Sequence, residues 1–288
     1  MPSGILIIDK PEGWTSMDVC AKLRGILKEK RIGHAGTLDP MATGVLPVFV
    51  GQATKAVSFA ENGEKESVAG LKLGLTTNTQ DTSGETLEQK DAQVTLEQLQ
   101  AVLPRFTGAI HQIPPMYSAI KVGGKKLYEL ARKGVEVERK SREIAIFELE
   151  VVKQLSADEF VLRVRCSKGT YIRTLCHDIG QALGCGGCMS SLRRTMAAGF
   201  TLSESVTLED AQAAGAALLL PMDSFFRQHP ALYLPEGKLE KACRNGAQLP
   251  MEGVEDGLYR VYSSAGEFLC LSQAENGLLT SVKNFFGA

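Results

Sequence analysis

The residues with the clearest chemical potential lie in one glycine-rich segment, Gly33–Gly44. Its twelve residues include three glycines, one proline, His34 and a single carboxylate, Asp39. Glycines allow positive φ and let another molecule approach the backbone closely. Pro40 keeps Asp39 out of the helical region and so fixes the direction of its carboxylate. Asp-Pro is also an ordinary turn dipeptide, so the segment is either a functional loop built around Asp39 or a plain turn.

A second candidate is the segment Cys166–Arg173, where a polar, Gly-bearing turn joins a predicted strand to a predicted helix. Tyr171 and Arg173 fall near the start of that helix. An arginine is unfavourable there, because the helix dipole favours anions at the N-terminus. The position is understandable if Arg173 pairs with a carboxylate, and Asp39 is the natural partner. The alternative is a surface arginine that extends into solvent.

A third candidate is the basic region Met116–Arg142, which holds eight Lys or Arg and three Glu, a local charge of +5. Tyr117 and Tyr128 are interleaved with those charges. This pattern predicts a flexible arm that grips a phosphate backbone, and the alternative is a solvated basic face. The candidate phosphate contacts are Lys121, Lys125, Lys126 and Arg132.

Motifs for nucleotide cofactors and metal-assisted hydrolysis are absent from the sequence. The four histidines lie outside any recognisable catalytic frame, and the seven cysteines are irregularly spaced. Cys185-Gly-Gly-Cys188 looks like half of a zinc site, with Cys176 and His177 nearby, but no second Cys-x-x-Cys follows. We therefore expect reduced thiols, no metal and no cofactor.

Composition limits the class of protein. The chain has 288 residues, of which 44% are hydrophobic and 23% charged, enough to bury a sizeable core. Its net charge of −1 excludes a protein that binds nucleic acid with its whole surface but allows a local basic patch. The apolar runs are too short to span a bilayer, and no signal-peptide core is present. We expect a soluble, cytoplasmic protein with no membrane partner.

The elements that must position these residues follow from periodicity and capping signals. Gly4–Ile8 reads as a buried strand, and a helix capped at Thr15 or Ser16 should stop before Gly33. Further helices are predicted after Thr95 and Thr207, over 127–133, and from Ile172 to Gly184, and further strands over 68–73, 147–151 and 160–166. Strands and helices are mixed without strict alternation, which favours an α+β fold with a largely antiparallel sheet.

The pattern changes after about Gln228. Pro230 and Pro235 indicate a linker, and three short strands are predicted at Leu258–Ser263, Phe268–Ser272 and Leu278–Lys283. Asn276-Gly277 is a hairpin signal. The sequence therefore predicts a small β-rich module over residues 229–288 that leans on the main domain.

Taken together and in this order, the three candidate segments resemble the TruB-type bacterial tRNA pseudouridine synthases. The likeness covers residues 3–225 densely and the C-terminal module, which looks PUA-like, more weakly. The matching segments are Asp9–Trp14, Gly33–Gly44, Leu73-Gly74, Pro115–Ala119, Lys168–Arg173 and Leu192–Arg194. The resemblance implies a pseudouridine-synthase-like catalytic domain over 1–228, with an RNA-gripping insertion over about 116–142, followed by the PUA-like module over 229–288.

The same resemblance implies an RNA-isomerising enzyme that converts uridine 55 in the T loop of tRNA to pseudouridine. Asp39 would be the nucleophile aimed at a flipped-out uridine, and Arg173 would pair with it. The reaction breaks the N-glycosidic bond, rotates the uracil and rejoins it through C5, so it needs neither metal nor cofactor. The expected partner is the T stem-loop of tRNA, and the expected state is a monomer. Whether Asp39 attacks C6 of the base or assists at the sugar is left open.

The resemblance also assigns substrate-binding roles. His34 would help hold the extruded nucleotide, Tyr171 would contact the base, Leu192 would pack against it, and Lys10 would bind substrate. Counted back from Leu73-Gly74 without gaps, Ser67 stands where the family has an aromatic residue, usually Tyr, that is expected to stack on the uracil. This departure raises an alternative hypothesis, a tRNA-binding or tRNA-folding protein with weak or no catalysis.

Overall fold

The computed structural model describes residues 2–286 of the chain. This part contains eighteen strands and seven α-helices. The helices are α1 (Ser16–Leu27), α2 (Val57–Ala60), α3 (Leu96–Val102), α4 (Leu127–Ala131), α5 (Ile172–Ala182), α6 (Leu208–Ala214) and α7 (Lys238–Arg244). The strands are β1 (Gly4–Lys10), β2 (Ile32–His34), β3 (Thr43–Val50), β4 (Lys65–Leu73), β5 (Leu75–Thr77), β6 (Thr86–Gln89), β7 (Gly108–Gln112), β8 (Lys121–Val122), β9 (Lys125–Lys126), β10 (Arg142–Ser156), β11 (Glu159–Cys166), β12 (Gly187–Ala197), β13 (Phe200–Thr201), β14 (Ala231–Tyr233), β15 (Leu249–Pro250), β16 (Gly257–Tyr262), β17 (Phe268–Glu275) and β18 (Leu278–Asn284).

A nine-stranded sheet organises the first three quarters of the chain. Its strands run in the order β1-β3-β12-β4-β11-β10-β7, with β2 added to β3 and β13 to β12. Every pair is antiparallel except β3 and β12, which run parallel. The predicted α+β fold with a mixed, largely antiparallel sheet is confirmed.

Three helices begin where the sequence predicts, at a threonine that caps the first turn. The hydroxyls of Thr15, Thr95 and Thr207 each accept a hydrogen bond from the backbone N–H three residues later, and the side chain there bonds back to the threonine N–H. This reciprocal arrangement satisfies two donors that a helix start would otherwise leave free. Helix α5 has no such cap and begins at Ile172, which places Arg173 in its first turn.

Different helices contribute to two buried clusters of the main domain, and Leu192 of β12 packs against both. Leu99 of α3 and Leu175 and Ile179 of α5 lie in one buried cluster with Leu71 of β4. A second buried cluster joins α1 and α6 to β1 and β3. Burial of this apolar surface fixes α5 and β3 relative to each other. The segments that bear the candidate residues are therefore attached to rigid elements.

The C-terminal residues form a second, five-stranded sheet in the order β14-β16-β17-β18-β15. The predicted Asn276-Gly277 hairpin joins β17 to β18, and both of its residues have positive φ, 51° and 75°, as a tight hairpin turn requires. The Phe226 ring contacts those of Phe268 and Phe285, so the module does pack on the main domain.

The interpretation of the Pro230–Pro235 segment as a linker is wrong. Ala231–Tyr233 forms strand β14, which pairs in parallel with β16, and Leu234 is buried in the core of the module. The two prolines flank this strand instead of interrupting it, so neither removes an N–H that the strand pairing needs. The two prolines predict a linker, and the sequence pattern does not reveal the edge strand between them.

Within residues 2–286, no helix is both long and apolar enough to cross a membrane.

Candidate active site

Asp39 lies in the loop between β2 and β3, and backbone hydrogen bonds hold this loop in place. The Gly13 N–H donates to the Pro40 carbonyl at 2.8 Å, and the Ala42 N–H donates to the Asp39 carbonyl at 3.0 Å. The Leu38 N–H donates to the buried Ser16 hydroxyl at 2.9 Å. The loop is thus a tight turn anchored to two other segments, with the Asp39 carboxylate partly open to solvent.

Position 44, at the end of this loop, must be a glycine because the backbone of Arg194 lies against it. It has a φ of 101° and pairs with Arg194 across the parallel junction of β3 and β12. A Cβ at this position would lie 2.2 Å from the Arg194 carbonyl oxygen. A side chain cannot fit there, so this glycine sets the distance between the Asp39 loop and β12.

Arg173 holds Asp39 through a two-pronged ion pair. Its Nε lies 2.9 Å from Asp39 Oδ2, and its Nη2 donates to Oδ1 at 3.2 Å. The predicted pairing is therefore present. The guanidinium is buried and also donates to the carbonyls of Thr79, at 2.9 Å, and Tyr117, at 2.8 Å. A planar guanidinium with its donors engaged on several sides gives the carboxylate a fixed orientation.

A second carboxylate, Asp81, completes this cluster and was missed by sequence reasoning. It is 4% exposed, and its Oδ2 lies 3.6 Å from Arg173 Nη1. Its Oδ1 accepts hydrogen bonds from Thr79 Oγ1 at 2.8 Å and from the Ser83 N–H at 3.0 Å. The only sequence signal was its position soon after the Leu73-Gly74 motif. Asp81 supports Arg173 from the side opposite Asp39.

Lys10, to which the resemblance assigns substrate binding, is fully buried beneath the Asp39 loop. Its Nζ donates to the carbonyls of Trp14 at 2.6 Å, Pro11 at 2.8 Å and Pro40 at 3.3 Å. These three bonds use all the donors of an ammonium group. Burial lowers the pKa of Lys10 to about 8, against the opposing effect of Asp39. Its place in the structure is that of a clamp on the loop.

Arg194 and His34 line the other side of the loop. Arg194 is buried and donates from Nε to the Val45 carbonyl at 2.7 Å and from Nη2 to the Gly36 carbonyl at 2.9 Å. Its burial lowers its pKa to about 10. Burial and the Arg194 charge together lower the pKa of His34, whose buried Nδ1 has no hydrogen-bond partner within residues 2–286. His34 is therefore neutral near pH 7.

Tyr171 and Leu192 both lie partly buried beside these groups. Gln112 fixes the Tyr171 backbone, because its side-chain amide accepts from the Tyr171 N–H at 2.8 Å and donates to the carbonyl at 3.1 Å. Burial raises the pKa of the Tyr171 phenol. Leu192, on β12, packs against two of the core clusters of the main domain.

Ser67 lies on β4, directly opposite Arg194 on β12 and Val164 on β11. It is 2% exposed. Because side chains of paired residues share a face, Ser67 points to the same side of the sheet as Arg194. Ser67 therefore lies on the side of the sheet where Arg194 supports the Asp39 loop.

The basic insertion contains the hairpin of β8 and β9 and the short helix α4. Leu127 is fully buried and anchors it, and two cations lie over the Tyr128 ring, Lys126 at 5.4 Å and Arg132 at 5.3 Å. Within residues 2–286, none of the four candidate phosphate contacts forms an ion pair with a carboxylate. The contact between Arg173 and the Tyr117 carbonyl ties the start of the insertion directly to the Asp39 cluster.

Chemically, the site offers one accessible carboxylate held in a set direction by buried cations. Within the described residues, no three His, Cys, Asp or Glu side chains are grouped as a metal site would need. The thiols of Cys176 and Cys188 are buried, and burial raises the pKa of both. The arrangement suits nucleophilic or electrostatic catalysis by Asp39.

Comparisons with known proteins point in one direction. A family model described as TruB family pseudouridylate synthase (N terminal domain) matches residues 24–172, and one described as tRNA pseudouridylate synthase B C-terminal domain matches residues 173–227. A protein named tRNA pseudouridine synthase B from Alkaliphilus oremlandii is 44% identical over 93% of this chain and 89% of its own length. One of the same name from Clostridium kluyveri is 41% identical over 98% of this chain and 99% of its own length.

Solved structures give the same fold. The crystal structure of a Cbf5-Nop10-Gar1 complex contains a chain that is 27% identical, with a TM-score of 0.73 over 98% of this chain and 85% of the other. A structure of an H/ACA RNP bound to a substrate RNA containing 2′-deoxyuridine contains a chain that is 26% identical, with a TM-score of 0.72 over 99% of this chain and 85% of the other.

Proposed function

The chain belongs to the TruB family of pseudouridylate synthases, and we propose that it isomerises uridine 55 in the T loop of tRNA with Asp39 as the nucleophile. The observation that carries this proposal is the ion pair between Asp39 and the buried Arg173. It places one oriented carboxylate in a cluster that is otherwise rich in buried cations. The pseudouridine synthase activity itself follows from the tRNA pseudouridine synthases to which nearly the whole chain is similar.

The reaction requires an extruded base. Inside a folded RNA loop, C1′ and C6 of a uridine are shielded by stacking, so the nucleotide must flip out before Asp39 can reach it. The surroundings of Asp39 support such a pocket: His34, Tyr171 and Leu192 lie around the loop, each partly buried. His34 would contact the nucleotide with the exposed part of its ring, because its Nδ1 is buried. Tyr171 and Leu192 offer apolar surface to the base.

Bond changes in the reaction are internal to the nucleotide. The bond from C1′ to N1 breaks, the uracil turns within the pocket, and a bond from C1′ to C5 forms. C5 loses its proton and N1 takes one up, so the product is an isomer of the substrate. Asp39 either bonds transiently to C6 or stabilises the sugar, and the clamp formed by Lys10 holds its loop in position for both routes. Arg173 keeps the carboxylate pointing at the pocket, and Asp81 holds Arg173.

tRNA is the substrate class, and we propose that the T stem-loop is the part recognised. The chain would divide into a catalytic domain over 1–228, with the insertion over about 116–142 closing on the stem-loop, and a PUA-like module over 229–288. We propose a monomer, because one chain carries every residue of the cluster, and a cytoplasmic location, which suits an enzyme that modifies tRNA. The alternative of a non-catalytic binding protein gains no support from the comparisons, because the curated relatives are named as synthases.

Nucleoside analysis of an unmodified tRNA transcript tests the proposal. Incubation with the protein should yield pseudouridine in a transcript with uridine at position 55 and none in a matched transcript with cytidine there. Pseudouridine in neither transcript would overturn the proposed activity. Equal amounts in both would overturn the assignment of the T loop.

Ser67→Tyr should raise turnover at least tenfold without changing which uridine is modified. Base–aromatic stacking is worth roughly 1–3 kcal/mol in single-strand binding sites, so the missing ring corresponds to about tenfold to a hundredfold in rate. Single-turnover rates of the two proteins on the same T-loop transcript measure the effect.

Val68→Tyr is the matched control for Ser67→Tyr, because successive residues of a strand face opposite sides of the sheet. It introduces the same ring one residue further along β4 and should leave the rate unchanged. A slower Ser67→Tyr protein would show that the space is already filled, and that the register or the proposed role of this position is wrong.

Neutralising Lys125, Lys126 and Arg132 together should weaken binding across many RNA sequences and flatten its salt dependence. Each lost phosphate contact should shallow the slope of log affinity against log salt by about 0.7–0.9. Filter binding over a range of salt concentrations gives the slope. Neutralising three lysines outside the insertion, Lys22, Lys153 and Lys241, is the charge-matched control. An unchanged slope in the first variant would mean that the insertion is only a solvated basic face.

A further inference from the structure

Lys65 places an ammonium group beside the candidate site with few partners to hold it. It is the first residue of β4, a central strand, and is paired with Cys166 on β11 and Ala197 on β12. Its Nζ donates one hydrogen bond, 2.6 Å long, to the carbonyl of Thr170. Within residues 2–286 this ammonium forms no ion pair. An ammonium has three donors, so two remain unused.

The titratable groups around Lys65 come from each element packed against it. They are the thiol of Cys166 on β11, the guanidinium of Arg194 on β12 and the carboxylate of Asp39 in the loop before β3. Burial lowers the pKa of Lys65, Arg194 lowers it further, and Cys166 and Asp39 oppose the change. A desolvated cation without a counter-ion destabilises a fold. Groups held in this way are found most often where they act on a substrate.

The Lys65 side chain lies on the side of β4 that would face the proposed uracil pocket. Alternate residues of a strand share a face, so Lys65 and Ser67 lie on the same side of β4. The Thr170 carbonyl that accepts from Lys65 immediately precedes Tyr171, and Arg194, opposite Ser67, lies beneath Gly36 in the Asp39 loop. The Ser67 side chain has only two heavy atoms and does not screen the ammonium as a larger residue would.

We propose that Lys65 is a further catalytic residue, whose ammonium donates a hydrogen bond to a carbonyl oxygen of the flipped uracil. This inference rests on the proposed function. When the bond from C1′ to N1 breaks, its electron pair stays with the uracil and the charge spreads to O2 and O4. Addition of Asp39 at C6 likewise places charge on O4. Lys65 stabilises that charge until the electron pair is used in the new bond from C5 to C1′, and it keeps its own proton throughout.

Lys65→Met should lower the single-turnover rate about 10²- to 10³-fold, the usual effect of removing one preorganised donor from a developing anion. Affinity for tRNA should stay within about threefold, because affinity comes mainly from contacts to phosphate and sugar. Lys72→Met is the matched control. Lys72 lies on the same strand but is paired with Asp158 at 2.7 Å, and its loss should leave the rate unchanged.

The pH profile separates this role from mere support of the Thr170 carbonyl. With Lys65 protonated in the active form, the rate should fall as the pH rises through its lowered pKa. A lysine that only supports the carbonyl donates in either protonation state and gives no such fall. The arginine in Lys65→Arg stays protonated at alkaline pH. This variant should be slower than the wild type, but its rate should not fall as the pH rises. A fall that persists in Lys65→Arg belongs to another group, such as Lys10, and overturns the proposal.

The outcomes also separate this inference from the function on which it rests. A wild-type protein that forms no pseudouridine contradicts the proposed function itself. An active wild type with a Lys65→Met variant within about threefold of its rate contradicts only the role of Lys65, since that loss is far below the effect of a lost charge-stabilising donor. If Lys65→Met does not fold, the profile of Lys65→Arg decides the question alone.

Discussion

Asp39→Asn should reduce pseudouridine formation by roughly 10⁴-fold or more, the scale of loss seen when a catalytic nucleophile is removed. Asparagine has the same shape as aspartate but is neutral and does not act as a nucleophile. The fold of the site should persist, because Arg173 keeps its bonds to the carbonyls of Thr79 and Tyr117 and its contact with Asp81. Single-turnover rates with saturating enzyme measure the loss.

Binding of tRNA to Asp39→Asn should remain close to that of the wild type, since shape and phosphate contacts dominate affinity for folded RNA. Asp158→Asn is the control for the loss of one carboxylate. Asp158 pairs with Lys72 at a solvent-exposed site, where an ion pair contributes little to stability. A single-turnover rate of Asp39→Asn within tenfold of the wild-type rate would contradict the role of Asp39 as the nucleophile.

Arg173→Met should cost about 10³-fold in turnover and also destabilise the protein. The substitution frees Asp39 from its fixed direction, and it leaves the buried Asp81 without its cation. Breaking a buried ion pair on one side typically costs about 3–5 kcal/mol in the free energy of unfolding. Urea unfolding measures this second effect, and single-turnover kinetics measure the first.

The double variant Arg173→Met, Asp81→Asn separates the two effects of losing Arg173. Asparagine at position 81 removes the uncompensated buried charge, so most of the lost stability should return. Turnover should stay low, because nothing orients Asp39. Recovery of turnover together with stability would show that Arg173 acts only through the stability of the fold.

The order of the elements was largely readable from the sequence because local rules fixed it. The threonine caps at Thr15, Thr95 and Thr207 set three helix starts, and Asn276-Gly277 set the final hairpin. These signals involve residues a few positions apart, where propensity and hydrogen bonding act without help from the rest of the fold. These local signals do not reveal the short strand Ala231–Tyr233, because its pairing with β16 is a tertiary contact.

The candidate site was only partly readable. The contact between Asp39 and Arg173 could be predicted because an arginine at a helix start is unfavourable unless an anion lies nearby. Asp81 could not, since only the folded loop between β5 and β6 brings it to Arg173. The sequence also gave no sign that Lys10 would use all its donors beneath the loop, or that Lys65 would have donors to spare. Which donors a lysine leaves free depends on the tertiary structure.

The central claim is that Asp39 drives isomerisation of a single uridine, and release of tritium from tRNA labelled at C5 of its uridines tests it most directly. Formation of the bond from C1′ to C5 expels the hydrogen at C5, so the released tritium counts each isomerisation. The wild-type protein should release one tritium per transcript that has uridine at position 55, and neither Asp39→Asn nor a transcript with cytidine at that position should release any. Release by Asp39→Asn at the wild-type rate, or no release by the wild type, would contradict the account.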